Sequence, residues 1–370
     1  MKLLILLISC AIACQGFSQK SYLLVGTYNS QKSEGIYVYE FNNDEGTAKE
    51  VSHVISSNPS YIVVSPDKKY VFSVNENSNK NGKGGFITSF LFDNKKGVLT
   101  KINTQSSEGN DPCYITIDKT GKWVITGNYS SGNFAILPVG KNGVLDKAIQ
   151  TVQHYGKSID ITRQNSSHVH STFFTTNNKV LYVTDLGTDK IIKYNFNKKT
   201  GLVKSSPLDF ISAEAGSGPR HIDLSKNNKF MYVLNELSGS IAVYPTNNNI
   251  KKLQTISSLP FNFKGVAGSA DIHISPDGDF LYSSNRGESN SIGIFKINKK
   301  TGLLSLVQHQ SSLGLTPRNF NFDPTGRYLL VANQNSNEVI IFSRNIKNGL
   351  LTDSGNKISI GKPVCLKWIY

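Results

Sequence analysis

A hairpin-like segment recurs six times along the chain. "NPSYIVVSPDKKYVFSVNE" (58–76), "GPRHIDLSKNNKFMYVLNE" (218–236) and "TPRNFNFDPTGRYLLVANQ" (316–334) show the pattern, and "DPCYITIDKTGKWVITGNY", "HVHSTFFTTNNKVLYVTDL" and "GSADIHISPDGDFLYSSNR" repeat it. Each is an alternating run, a turn such as Pro-Asp-Gly or Asn-Asn-Lys, and a second run ending in Asn or Asp. Alternation closed by such a turn reads as a β-hairpin. The end position falls at Asn75, Asn128, Asp185, Asn235, Asn285 and Asn333, in steps of 48 to 57 residues. A third alternating run follows each hairpin ("GSIAVY", "NEVIIF"). Most repeats then add Gly and a fourth run, as in "KKGVLTKI" and "KTGLLSLV". Four short strands in a period near fifty residues is the signature of propeller blades.

The ends supply a seventh unit. "SYLLVGTY" and "GIYVYEF" read as second and third strands with no first strand before them. "KPVCLKWIY" at the C-terminus reads as a first strand with nothing after it. Joined, they close the ring and remove an open sheet edge. The expected fold is therefore all-β: one seven-bladed propeller over residues 20–370, four antiparallel strands per blade. A two-domain β-sandwich would not explain the near-constant period.

Residues 1–19 read differently. Lys2 and the apolar run Leu3–Ala13 form an export signal, too short to span a bilayer. "LISC" and "AIAC" resemble the lipobox of bacterial lipoproteins, so Cys10 and Cys14 are candidates for lipidation, and the chain is expected outside the cytoplasm. Cys113 and Cys365 remain beyond the leader, without a disulfide framework or a zinc motif. The formal net charge is +14. Much of it lies in turns such as "NKKG" and "NKKTG", spread along the sequence, where lysines keep strand edges soluble. With no basic helix and no nucleic-acid motif, nucleic acid is not an expected partner; an anionic small molecule fits better.

In an antiparallel meander the start of the first strand and the end of the second share a rim. The residue fifteen before each Asn/Asp is Ser60, Cys113, His170, Arg220, Ala270 or Arg318. The residue just after it is Glu76, Tyr129, Leu186, Glu236, Arg286 or Gln334. One mouth of the channel should thus collect three arginines, two glutamates and a histidine. Singly, Arg220 and Glu236 also suit a salt bridge across a blade, and His170, His221 and His273 suit hydrogen-bonded packing. His168 and His170 share a strand face, but no further ligands accompany them, so no metal is expected.

These hairpins resemble the propeller-type 6-phosphogluconolactonase family, the lactonase or cycloisomerase-like family that includes a fungal carboxy-muconate lactonising enzyme. "SHVHS", "GPRHIDLS", "YVLNELSGSIAVY" and "ADIHISPDGDFLYSSNRG" carry the likeness, which covers nearly the whole chain after the leader. The resemblance implies action on lactones or the matching hydroxy-carboxylates, with no cofactor. It places the catalytic histidine, arginines and glutamate of the lactonising branch on His170, Arg220, Arg286 and Glu236, with His168 competing for the histidine role. On this reading Glu236 accepts a proton from the attacking water, with His170 as alternative base or later acid. Arg220 stabilises the oxyanion. Arg286 and Arg318 hold a carboxylate, phosphate or hydroxyls, and His168, His221, Glu76 and Gln334 complete the substrate contacts. No GxSxG elbow offers a nucleophile, and Cys113 has no evident base. An exported chain leaves open whether the lactone is phosphorylated. A non-catalytic secreted propeller and a muconate-type cycloisomerase are the alternatives.

Overall fold

Each repeat folds as a four-stranded antiparallel sheet, and seven such sheets make up the propeller. The computed structural model describes residues 20–82, 84–247 and 250–370, with the backbone alone for 205–209. The expected leader and Cys10 and Cys14 lie outside the described residues. Within a blade the strands run in chain order from the central channel outwards; in blade five these are Pro219–Leu224, Phe230–Asn235, Ser240–Pro245 and Gln254–Ser257. Blade one is the exception that closes the circle. Its inner strand is Pro363–Ile369, paired with Ser21–Thr27 in the register Tyr22↔Ile369 to Gly26↔Cys365. Each inner strand packs beside the inner strands of the two flanking blades, so the ring has no gap.

Burial follows from this arrangement. Second and third strands are sandwiched between neighbouring blades, and Phe230–Asn235 is buried along nearly its whole length. Fourth strands face solvent on one side and alternate, as in Thr47–Ile55. The core is accordingly divided into layers between blades. One layer joins Phe280 and Ile294 of blade six to Phe320 and Val331 of blade seven. Another joins Leu23 and Tyr39 of blade one to Leu330 and Ile341 of blade seven.

The "KKTG" turns have a packing role. Gly201 adopts φ +75°, and a Cβ there would lie 2.3 Å from the Trp123 ring of the preceding blade. Only glycine combines that backbone conformation with that approach. The same contact recurs between Gly302 and Phe230, and between Gly349 and Phe280. Hairpin turns between first and second strands, and between third and fourth strands, therefore lie together on one face of the disc. The loops that link second to third strands, and blade to blade, lie on the other.

Candidate active site

That second face carries the mouth of the channel, and a repeated backbone irregularity builds it. In blades three, four, five and seven the register between first and second strand slips by one residue, between Pro112 and Tyr114, Val169 and Ser171, Pro219 and His221, and Pro317 and Asn319. The extra residues are Cys113, His170, Arg220 and Arg318. A bulge re-aims its side chain out of the alternation. Here it does so at the channel rim, which is why the residues fifteen before each Asn/Asp converge. The residues after the second strands close the ring from above.

A cavity of about 310 Å³ results, lined by Glu76, Cys113, His170, Glu236, Arg286 and Arg318 from the expected set, with Tyr28, Tyr129 and Arg163. Tyr28 and Arg163 were not anticipated. Tyr28 follows the second strand of blade one, in the same column as Glu76 and Glu236. Arg163 comes from the loop between blades three and four, whose presence makes the Asn128-to-Asp185 step the longest of the series. Gln164 anchors that loop: it is fully buried and its Nε2 donates to Leu186 O at 2.8 Å. Asp160 Oδ1 accepts from the backbone N–H of Thr162 and Arg163.

Glu236 is the hub. Its Oε1 accepts from Arg163 Nη2 at 2.6 Å, and its Oε2 from Arg220 Nε at 2.8 Å and Arg286 Nη2 at 3.0 Å. Burial works to raise its pKa, but the fields of Arg286, Arg220 and Arg163 outweigh it and hold the carboxyl well below the usual carboxylate range. Both Glu236 oxygens are engaged by guanidinium groups, a geometry that gathers arginines and differs from the free carboxylate expected of a general base. Arg220, expected against the oxyanion, is 2% exposed and does not line the cavity. It lies beneath Glu236, donating from Nη1 to His221 Nε2 at 3.2 Å and to Ala270 O. His221 must then carry its proton on Nδ1, which donates to Asp271 Oδ1 at 2.8 Å. Burial and Arg220 push the His221 pKa down to about 4, so it is neutral. His221 thus supports Arg220 from within the channel and is not among the residues that line the cavity.

His168 is likewise outside the cavity lining. It stacks on Tyr129 with centroids 4.4 Å apart and donates from Nδ1 to Tyr129 O at 3.0 Å. It braces Tyr129 without lining the cavity. Gln334 does not line it either; its backbone N–H is held by Thr316 O.

His170 does line it, 4% exposed. Burial, then Arg220, His221 and Arg318, hold its pKa well below the ordinary value, so the ring is neutral at neutral pH. Its one side-chain neighbour at hydrogen-bonding range among the described residues is Cys113 Sγ, 3.8 Å from Nδ1. Cys113 therefore has a histidine beside it, contrary to the sequence expectation. Burial pushes the thiol pKa up, however, and the pair is thiol and imidazole, not thiolate and imidazolium. Glu76 accepts from Tyr28 OH at 2.8 Å. The Arg318 guanidinium lies over the Tyr28 ring, 5.4 Å from its centroid. Arg318 donates no side-chain hydrogen bond and forms no ion pair among the described residues. Four guanidiniums thus face two carboxylates, and one of the four has no acceptor. No group of His, Cys, Asp or Glu among the described residues is arranged to hold a metal ion.

A family model described as "Lactonase, 7-bladed beta-propeller" matches residues 22–368. A 6-phosphogluconolactonase of Formosa agariphila is 39% identical over 334 residues, 89% of this chain and 94% of the relative. One from Bacillus subtilis is 32% identical over 350 residues, 94% and 97% respectively. The solved structure of a periplasmic gluconolactonase, PpgL, from Pseudomonas aeruginosa superposes with a TM-score of 0.89 at 34% identity, covering 95% of this chain and 99% of that one.

Proposed function

The chain belongs to the seven-bladed β-propeller lactonase family, and on that premise we propose that it hydrolyses a sugar lactone bearing an anionic substituent, with His170 as the proton acceptor. A water on the lactone carbonyl loses its proton to neutral His170 as its oxygen bonds to the carbonyl carbon. The carbonyl oxygen becomes an oxyanion, which Arg286 stabilises with the N–H groups not engaged by Glu236 and Gly268 O. Collapse of the tetrahedral intermediate breaks the bond to the ring oxygen, which leaves with the proton from His170. The product is the open-chain aldonic acid. Glu236 fixes the arginines, and Arg163, carried by a firmly anchored turn, contributes a cation at the mouth.

The observation that carries the substrate class is Arg318. It is a cation at the cavity wall without an acceptor, in a site where guanidiniums already outnumber carboxylates. A phosphate or carboxylate on the substrate would supply the missing acceptor. The same negative charge would offset part of the field that depresses His170, so a correct substrate would strengthen its own base.

The test is turnover of δ-gluconolactone, its 6-phosphate and a lactone carrying a second carboxylate, each above spontaneous hydrolysis. Higher kcat/KM on the anionic lactones is expected. Equal values on all three would remove the anionic reading, and no catalysis on any would remove the enzyme reading. We further propose that the protein is exported. Lys2 and Leu3–Ala13 support this, as does the periplasmic location of the gluconolactonase relative. N-terminal sequencing from the native host should find a start between Cys10 and Lys20; an intact Met1 would overturn it.

A further inference from the structure

Lysines that look scattered along the sequence are gathered by the topology. Tyr28, Glu76 and Glu236 follow second strands at the mouth, so the turns at the other ends of those strands lie on the opposite face. Third-to-fourth-strand turns share that face, as the contacts of Gly201 with Trp123 and Gly302 with Phe230 require. The turns 94–97, 197–202 and 298–303 each present a lysine pair there: Lys95 with Lys96, Lys198 with Lys199, and Lys299 with Lys300. All six are exposed. First-to-second-strand turns add Lys68 and Lys69, Lys119 and Lys122, Lys179, and Lys226 with Lys229, also exposed.

Acidic residues do not cancel this charge evenly. Asp44 and Glu45 lie in blade one, where Asp44 pairs with Arg327; Asp277 and Asp279 lie in blade six, where Asp279 pairs with Lys299 and Lys296. In the arc from blade two to blade five Asp67 and Asp146 are exposed on this face, Asp93 caps its own turn by accepting from Lys95 and Lys96 N–H, and Asp118 is buried, so the carboxylates there are outnumbered by the lysines. Lys95, Lys96, Lys119, Lys179, Lys198 and Lys199 form no ion pair among the described residues. On the mouth face, Glu34, Glu108, Asp111, Asp160, Glu214 and Glu288 are interspersed with the basic residues.

Two further facts select a partner. The lysines stand on the tips of separate turns spread over several blades of a broad disc face, rather than along one continuous channel of the kind that tracks a nucleic-acid strand; the cavity at Lys226, Phe230 and Lys299 is confined to the seam between blades five and six. And the chain enters the described structure on this same face. Ser21–Thr27 runs towards the mouth, so Lys20, paired with Glu40, stands at the lysine end. Residues before Lys20, with the apolar run Leu3–Ala13 and the two lipidation candidates, join the propeller there.

We propose that the lysine face docks on an anionic phospholipid bilayer, with the active-site mouth turned away from it. Lysine tips attract anionic headgroups as point charges over about a Debye length. The docking is independent of the substrate proposed above.

The test is co-sedimentation of the host-processed protein with phosphatidylcholine vesicles, with and without a quarter of phosphatidylglycerol. Binding should require phosphatidylglycerol and should be lost between about 0.05 M and 0.5 M salt. The variant K95E/K96E/K198E/K199E should bind at least about a hundredfold more weakly and turn over lactone at the wild-type rate. Turnover by vesicle-bound wild type should persist. Equal partition onto both vesicle types would overturn the proposal, as would binding by the variant that matches the wild type. So would retention on double-stranded DNA at a salt concentration where the vesicles stay bare.

Discussion

Replacing Glu236 by glutamine removes the negative charge that Arg163, Arg220 and Arg286 share while keeping the side chain's shape. The new amide N–H groups must face at least one guanidinium, donor against donor. Taking one partner from a buried ion pair costs about 3–5 kcal/mol. The Arg163 side chain is 43% exposed, so its share is screened by solvent and small. The cost falls on Arg220 and Arg286, whose side chains are 2% and 18% exposed. A domain of this size unfolds with an entropy of about 0.7 kcal/mol/K, so the calorimetric midpoint at pH 7 should fall by about 4–7 °C. Adding Arg286→Gln should recover part of the loss, because one orphaned cation is then gone. The pH dependence has a definite sign. Glu236 has a depressed folded pKa, so its contribution is present above the unfolded value of about 4.3 and is lost as pH falls below it. Glu236→Gln should therefore approach the wild-type midpoint as the medium is acidified. Its kcat/KM should drop, yet the acid limb of the pH–rate profile should remain, since on the proposed mechanism that limb belongs to His170 and not to Glu236. A variant that melts with the wild type, or an acid limb that vanishes in Glu236→Gln but survives in His170→Asn, would refute this and restore Glu236 as the base.

His170→Asn should lower kcat by about 10²–10⁴-fold with little change in thermal midpoint, measured on whichever lactone the wild type turns over best; a loss confined to KM would count against its role. Arg318→Gln should raise KM for an anionic lactone more than for δ-gluconolactone, because the contact it loses is to the anion; equal effects on both would move the anion site elsewhere. Deleting residues 363–370 removes the inner strand of blade one and bares the Ser21–Thr27 edge. The truncated chain should lose its sharp unfolding transition and aggregate, and a wild-type melting curve would deny that closure holds the ring together.

The propeller was legible because its punctuation is chemical: each hairpin needs a turn residue, and the period of those turns is the period of the blades. The mouth was legible for the same reason, since a fixed offset from the Asn/Asp position lands on the bulged residues. Tyr28 was within reach. It occupies the same column in "SYLLVGTY", but that blade borrows its first strand from the far end of the chain, so no contiguous hairpin of the repeat type marks it. Arg163 sits in an inserted loop with no counterpart in the other repeats, and only the long step from Asn128 to Asp185 hinted at it. The roles of Glu236 and Arg220 depend on which donors meet which acceptors, and a sequence column holds no such distances. His221 looked like a site residue because it follows Arg220; the bulge sends the two side chains to different depths of the channel. The lysines misled in the opposite sense: distant in sequence, they share a face because both kinds of hairpin turn the same way.

The pairing of Tyr22 with Ile369 spans almost the entire polypeptide. Blades two to seven consist of consecutive residues and can assemble as they emerge, but blade one must wait for Pro363–Ile369 to be made. Any apparatus that threads this chain amino end first therefore handles an open arc. The latch arrives only with Pro363–Ile369, so the decision to become a rigid disc is deferred until that strand is made. Non-local pairing of this kind is slow to form. A ribosome stalled before Pro363 would leave six finished blades and an exposed, adhesive edge.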